Sequence, residues 1–125
     1  MSRSGMKVSH KTRNVFGDMQ LAKQSGAFLL LTSNRGSGFI EIAEQGVATS
    51  KDDFVSHLPS NACRHAIYDT GAKLIYFMWV PDDSPVQDRM TTSSTKESVI
   101  TASPRISFSY EVHSQDEVLE KLSKH

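Results

Sequence analysis

A chain of 125 residues suits one domain, residues 1–125, around a single core. Its 14 basic and 14 acidic side chains cancel, which excludes the strongly basic balance of a general nucleic-acid binder, and 38% hydrophobic residues exclude a disordered chain. No apolar run approaches the length of a bilayer span, Met1-Ser2-Arg3-Ser4-Gly5 lacks a signal-peptide stretch, and the lone Cys63 excludes an internal disulfide, so a soluble intracellular protein is expected.

In chain order, residues 9–23 read as a helix, with Val15, Phe16 and Met19 at helical spacing and Ser9 or Asn14 as its cap. The unbroken apolar run 27–32 predicts a buried strand. Asn34-Arg35-Gly36-Ser37-Gly38 turns it into a second strand through Phe39, Ile40 and Ile42. Ser50-Lys51-Asp52-Asp53 resembles a capping box and opens a short helix that Pro59 prevents from continuing. Strands follow over 63–68 and 73–80, joined by the tight turn Asp69-Thr70-Gly71-Ala72. The second of them is apolar on both faces and belongs inside a sheet covered on both sides.

Ser84 is expected to cap a helix running from Pro85 to about Ala102, with Gln87 completing the box and Pro104 ending it. Thr91-Thr92-Ser93-Ser94-Thr95 gives that helix poor intrinsic propensity, so tertiary contact must hold it. Ile106, Phe108, Tyr110 and Val112 alternate as a last strand. Ser114 and Glu117 then box the start of a terminal helix with Val118, Leu119 and Leu122. Strands grouped between helices give an α+β domain of three layers.

No constellation supports catalysis, and no cofactor is expected. The five histidines stand at 10, 57, 65, 113 and 125 without metal-ligand spacing. Cys63 and His65 share one strand face with Arg64 on the other, and a buried structural cysteine is the better reading. Gly36-Ser37-Gly38 precedes no helix, so the geometry of a phosphate loop is missing. Asp82-Asp83 reads as a loop and capping element. Two features suit a macromolecular contact instead. Residues 1–24 carry Arg3, Lys7, Lys11, Arg13 and Lys23 against the single acid Asp18, a basic arm for an acidic partner or an anionic lipid. Residues 79–97 combine a proline-rich loop, Arg89-Met90 and a run of short hydroxyl groups ending in Lys96-Glu97, which offers hydrogen bonds on a flat face.

Trp79-Val80-Pro81-Asp82-Asp83-Ser84-Pro85-Val86-Gln87-Asp88-Arg89-Met90, with Thr92-Ser93-Ser94-Thr95-Lys96-Glu97 in register behind it, resembles the actin-depolymerising factor/cofilin family. Leu58-Pro59, Cys63-Arg64-His65 and Tyr68-Asp69 resemble a second family stretch, with His65 at a position that is tyrosine or phenylalanine in the pattern. Ser4-Gly5-Met6-Lys7-Val8-Ser9 resembles the family's start and Val118-Leu119-Glu120-Lys121-Leu122-Ser123 its close. The segments are collinear, and together they are more specific than any one alone.

The resemblance implies the ADF-homology (gelsolin-like) fold, a central mixed sheet with helices on both faces. It implies a cytoplasmic, cytoskeletal protein, itself a monomer, that binds actin monomers and filaments, with depolymerisation, severing and actin turnover. It assigns the main contact to Ser4, Gly5 and Met6 of the arm and to Arg89, Met90, Ser94, Thr95, Lys96 and Glu97 of the long helix. Ser4 is also the implied phosphorylation site, where a dianion would repel an acidic actin surface. For a second actin subunit in the filament, the candidates are Lys73, Glu117, Lys121 and Lys124.

Departures accompany the match. Gln87 stands at a usually basic position, Thr92 replaces tyrosine, and Ile100-Thr101 replaces basic residues. The turn 69–72 is much shorter than the projecting basic loop of many members, as in the compact, short-loop members of some protozoa. Filament-side binding is therefore expected to be weak. Two alternatives stand beside this reading: a glia maturation factor-like protein acting on the branched-actin nucleating complex, and a module for anionic lipid such as phosphoinositide.

Overall fold

The computed structural model describes residues 6–103 and 105–125. The elements are β1 (Lys7–Val8), α1 (His10–Ala22), β2 (Ala27–Asn34), β3 (Phe39–Val47), α2 (Lys51–Ser56), β4 (Arg64–Asp69), β5 (Leu74–Trp79), α3 (Val86–Ala102), β6 (Ile106–Val112) and α4 (Gln115–Leu122). The strands form one six-stranded mixed sheet in the order β1-β3-β2-β4-β5-β6. The two terminal pairings, β1 with β3 and β5 with β6, are parallel; those between them are antiparallel.

Alternation along the inner strands produces two cores. Leu29 and Leu31 of β2 and Leu74, Tyr76 and Met78 of β5 face α1 and α3, where they meet Phe16, Met19 and Val99. Phe28 and Leu30 with Ile75, Phe77 and Trp79 face the other way, onto Phe54 and Val55 of α2 and Val118 and Leu122 of α4. Every residue of β5 is buried, as a strand covered on both sides requires. The three layers expected for the ADF-homology fold are thus present.

Local chemistry sets most boundaries. The Ser9 side chain accepts from Thr12 N and caps α1, so Asn14 has no such role. The Ser50 and Ser114 side chains accept from Asp53 N and Glu117 N to cap α2 and α4. Each box closes one residue earlier than the simple motif: Asp53 takes Thr49 N, and Glu117 takes His113 N. Gly26 links α1 to the sheet at φ +94, and a Cβ there would lie 2.5 Å from the carbonyl oxygen of Ala48. That conformation and that clearance both demand glycine.

One strand is added and one expectation changes. β1 is a two-residue strand too short to carry an alternation, and it joins the sheet only because Lys7 and Val8 register against Phe39 and Ile40. On β6 the register shifts beside Ile106, and the strand lies at the sheet edge, so Phe108 remains 41% exposed rather than buried with Val112. No helix among the described residues is long and apolar enough to cross a membrane.

Candidate functional site

α3 forms despite its composition because tertiary contacts hold it, while its hydroxyl groups turn back onto its own carbonyls. Thr91 Oγ1 donates to Gln87 O at 2.8 Å, Ser94 Oγ to Thr91 O at 3.0 Å, and Thr95 Oγ1 lies 2.8 Å from Thr91 O. Those side chains therefore stop competing for water or for other backbone groups. Tertiary bonds pin both halves. Asp88 Oδ2 accepts Cys63 N at 2.9 Å, Arg35 donates to the Gln87 amide oxygen at 3.0 Å, and Ser98 Oγ donates to Met6 O at 3.1 Å. Ser84 is not the N-cap: it is buried with its hydroxyl on Pro81 O, and Pro85 occupies the cap position without a side-chain bond. A proline suits that place because it has no N–H to satisfy.

The helix faces outward along the side that carries Val86 and Met90, which are 61% and 67% exposed. Ser94 and Glu97 are exposed with them, while Arg89 and Lys96 are half-buried. Beside this face a groove of about 520 Å³ separates α3 from β6, lined by Met78, Val80, Arg89, Met90, Glu111 and His113 among others. Arg89 Nε is buried at its wall and makes no hydrogen bond among the described residues. His113 is fixed by Nδ1 on Val80 O at 2.8 Å and stands 3.4 Å from the Glu111 carboxylate. Sequence reasoning missed Glu111 and His113. Alternation on β6 put Glu111 opposite Tyr110, but no residue pattern says that this face lies open beside α3.

Two assigned contacts need correction. Thr95 is fully buried, pointing into the sheet rather than toward a partner. Met6 is 8% exposed, with its side chain in the core beneath α1 and α3. Neither side chain is open to a direct surface contact. Ser4 and Gly5 lie outside the described residues, as does Pro104.

Lys73 and Lys121 come together along β6, while Glu117 does not join them. Lys73 Nζ sits 4.9 Å from the centre of the Phe108 ring and Lys121 Nζ 5.4 Å from that of Tyr110. The His125 ring packs against Phe108 at 4.4 Å and bonds the Tyr110 hydroxyl at 2.9 Å. Its imidazole is held below the usual value by desolvation first and then by the charges of Lys73, Lys124 and Lys51. The result is an aromatic strip edged with cations. Glu117 instead spends its carboxylate on His113 N. The turn after β4 is folded down: Thr70 N bonds Lys73 O, and the Asp69 carboxylate takes Gly71 N at 2.7 Å.

His65 and Cys63 complete the inventory. Burial pushes the Cys63 thiol up, so the thiolate a nucleophile needs is disfavoured. His65 is fully buried, and desolvation lowers its imidazole to about 3. It is a neutral core group. Among the described residues no cluster of His, Cys, Asp or Glu could hold a metal ion.

The model of the cofilin/tropomyosin-type actin-binding protein family matches residues 5–124. The chain is 32% identical to cofilin of Saccharomyces cerevisiae over 139 aligned positions, covering 99% of this chain and 96% of that one. It superposes on the crystal structure of Streptomyces griseoflavus cofilin with a TM-score of 0.80, at 21% identity and with 96% and 98% of the two chains covered. The glia maturation factor of Caenorhabditis elegans superposes with a TM-score of 0.78 at 15% identity, over 97% of each chain, a likeness of fold alone.

Proposed function

The chain belongs to the cofilin/tropomyosin-type actin-binding protein family, and from that premise we propose that it binds actin monomers through the outward face of α3. It promotes filament depolymerisation and severing in the actin cytoskeleton, as a binding protein rather than a catalyst. One observation carries the assignment of the face. Arg89, Met90, Ser94, Lys96 and Glu97 lie on or beside the outward side of α3, and Met90, a large apolar side chain, is 67% exposed there. An exposed methionine flanked by charges and short hydroxyls suits an adaptable protein contact. The arm at Ser4 and Gly5 extends the contact, and Lys7 next to it is exposed. The test is the steady-state pool of unpolymerised actin. Added protein should enlarge the fraction that stays in the supernatant after pelleting, and an unchanged supernatant would overturn the reading.

Filament sides are engaged more weakly than monomers. A filament binder must hold two subunits at once, and the second contact gains only if the geometry reaches it. The turn 69–72 does not project, which leaves Lys73 and Lys121 lying across aromatic rings as the second site. The glia maturation factor-like alternative has no support beyond the fold. A phosphoinositide surface would meet the same cations, and it is secondary to actin.

Ser4→Glu should weaken monomer binding by about 1 kcal/mol or more through like-charge repulsion. It should leave the unfolding midpoint where it is. Equal monomer affinity of Ser4→Glu and the unmodified chain would remove Ser4 from the interface.

A further inference from the structure

Elements from three strands and one helix meet at His65. Tyr76 OH lies 2.6 Å from its Nδ1, and Thr95 Oγ1 lies 3.0 Å from its Nε2. Ser33 Oγ stands 2.8 Å from Thr95 Oγ1 and 3.3 Å from the same Nε2. The protons can be placed by elimination. Thr95 Oγ1 gives its one proton to Thr91 O and can only accept from Nε2, so Nδ1 is left to accept from the Tyr76 phenol, which burial keeps protonated. The neutral imidazole then carries its hydrogen on Nε2 and donates to Thr95 Oγ1. Thr95 in turn donates to Thr91 O at 2.8 Å. The chain of bonds runs one way, from the sheet into a carbonyl in the middle of α3.

The apolar hold on α3 is thin. Its buried residues are Thr92, Thr95 and Val99, two of them threonines, and the half-buried Ile100 and Ala102 add apolar contact only in the last turn. Such a seam does not set rotation about the helix axis as a broad apolar stripe would. A hydrogen bond is directional and does; Asp88 and Ser98 hold the two ends in this way, and Thr95 holds the middle turn between them. At 3.6 residues per turn, turning Thr95 inward places Met90, Ser93 and Glu97 on the opposite side.

We propose that His65 is the positioning residue of the actin-binding helix, fixing through Thr95 the rotation at which Arg89, Met90 and Glu97 face the partner. This rests on the reading of α3 as the actin contact. It gives Thr95 a role through the helix rather than on its surface. It also gives a use to an imidazole at a place where the family pattern has a tyrosine or phenylalanine ring.

The test uses the full chain with Thr95→Val, Thr95→Ser and Leu122→Ala. Leu122 is fully buried on the other face of the sheet, so its loss weakens the fold without touching the network. Monomer affinity is measured at a temperature where circular dichroism shows all of them folded. Thr95→Val should bind about tenfold more weakly, the equivalent of one charge-assisted contact misplaced. Thr95→Ser, which keeps the hydroxyl, should bind as the unmodified chain does, and so should Leu122→Ala. In ¹⁵N spectra the unmodified chain should show the Nε2–H tautomer of His65. Unchanged affinity in Thr95→Val, an equal loss in Leu122→Ala, or the Nδ1–H tautomer would each overturn the proposal. If the unmodified chain itself fails to bind monomers, the actin reading falls first and takes this one with it.

Discussion

Acidification from pH 7 to pH 5 is expected to remove about 2 kcal/mol of folding stability through one side chain, His65. The imidazole is lowered from an ordinary 6.5 to about 3 by desolvation in the folded state. The folded chain therefore binds fewer protons than the unfolded chain throughout that interval. The stabilising contribution is complete above pH 6.5 and is lost as pH falls toward 3, at about 1.4 kcal/mol per unit. Between pH 6.5 and 5 the folded group stays neutral, so the slope there depends only on the unfolded value. Urea unfolding at pH 7 and pH 5 measures it directly. The double variant His65→Phe with Tyr76→Phe removes the titration and leaves no buried phenol without a partner, which keeps the comparison clean. It should lose clearly less stability over the same interval. Parallel losses in the two proteins would show that His65 is not the neutral buried group described.

The largest functional effect is expected from Arg89→Ala combined with Lys96→Ala. Charge-assisted contacts contribute about 1.5–3 kcal/mol each, so monomer binding should weaken by roughly 3–6 kcal/mol. Both side chains are half-buried rather than free in solvent. Arg89 Nε makes no hydrogen bond among the described residues, so its removal strands no acceptor for that atom. Loss of the half-buried Arg89 stem should cost about 1 kcal/mol of stability and leave the chain folded. Asp52→Ala, exposed on α2 across the sheet from α3, serves as the control and should bind normally. A folded double variant with undiminished monomer affinity would remove α3 from the interface.

Much of the scaffold was legible because it rests on local chemistry. Ser9, Ser50 and Ser114 announce helices that their side chains do cap, and the all-apolar stretch of β5 is buried on both faces. What stayed hidden depends on tertiary partners. Ser84 has the composition of a cap, but burial against Pro81 takes its hydroxyl first. Thr95 sits in a run of hydroxyl residues that reads as surface. Its inward turn depends on His65 and Ser33, which lie 30 and 62 residues away in sequence. Cys63 and His65 were correctly placed on one face, but the Tyr76 bond that makes the histidine tolerable there has no sequence signature. β1 is two residues long, below any period that pattern reading can use. The cations Lys73 and Lys121 were nameable one by one, whereas the rings of Phe108 and Tyr110 that gather them appear only once β6 is seen as an exposed edge.

Paired titrations on one preparation, of labelled actin monomers and of filaments by co-sedimentation, test the central claim most directly. Binding to monomers should saturate while filaments at the same protein concentration are only sparsely decorated. Stoichiometric decoration of filaments with weak or no binding to monomers would contradict the account. It would place the dominant contact on the cation-edged strip of β6 instead of on α3.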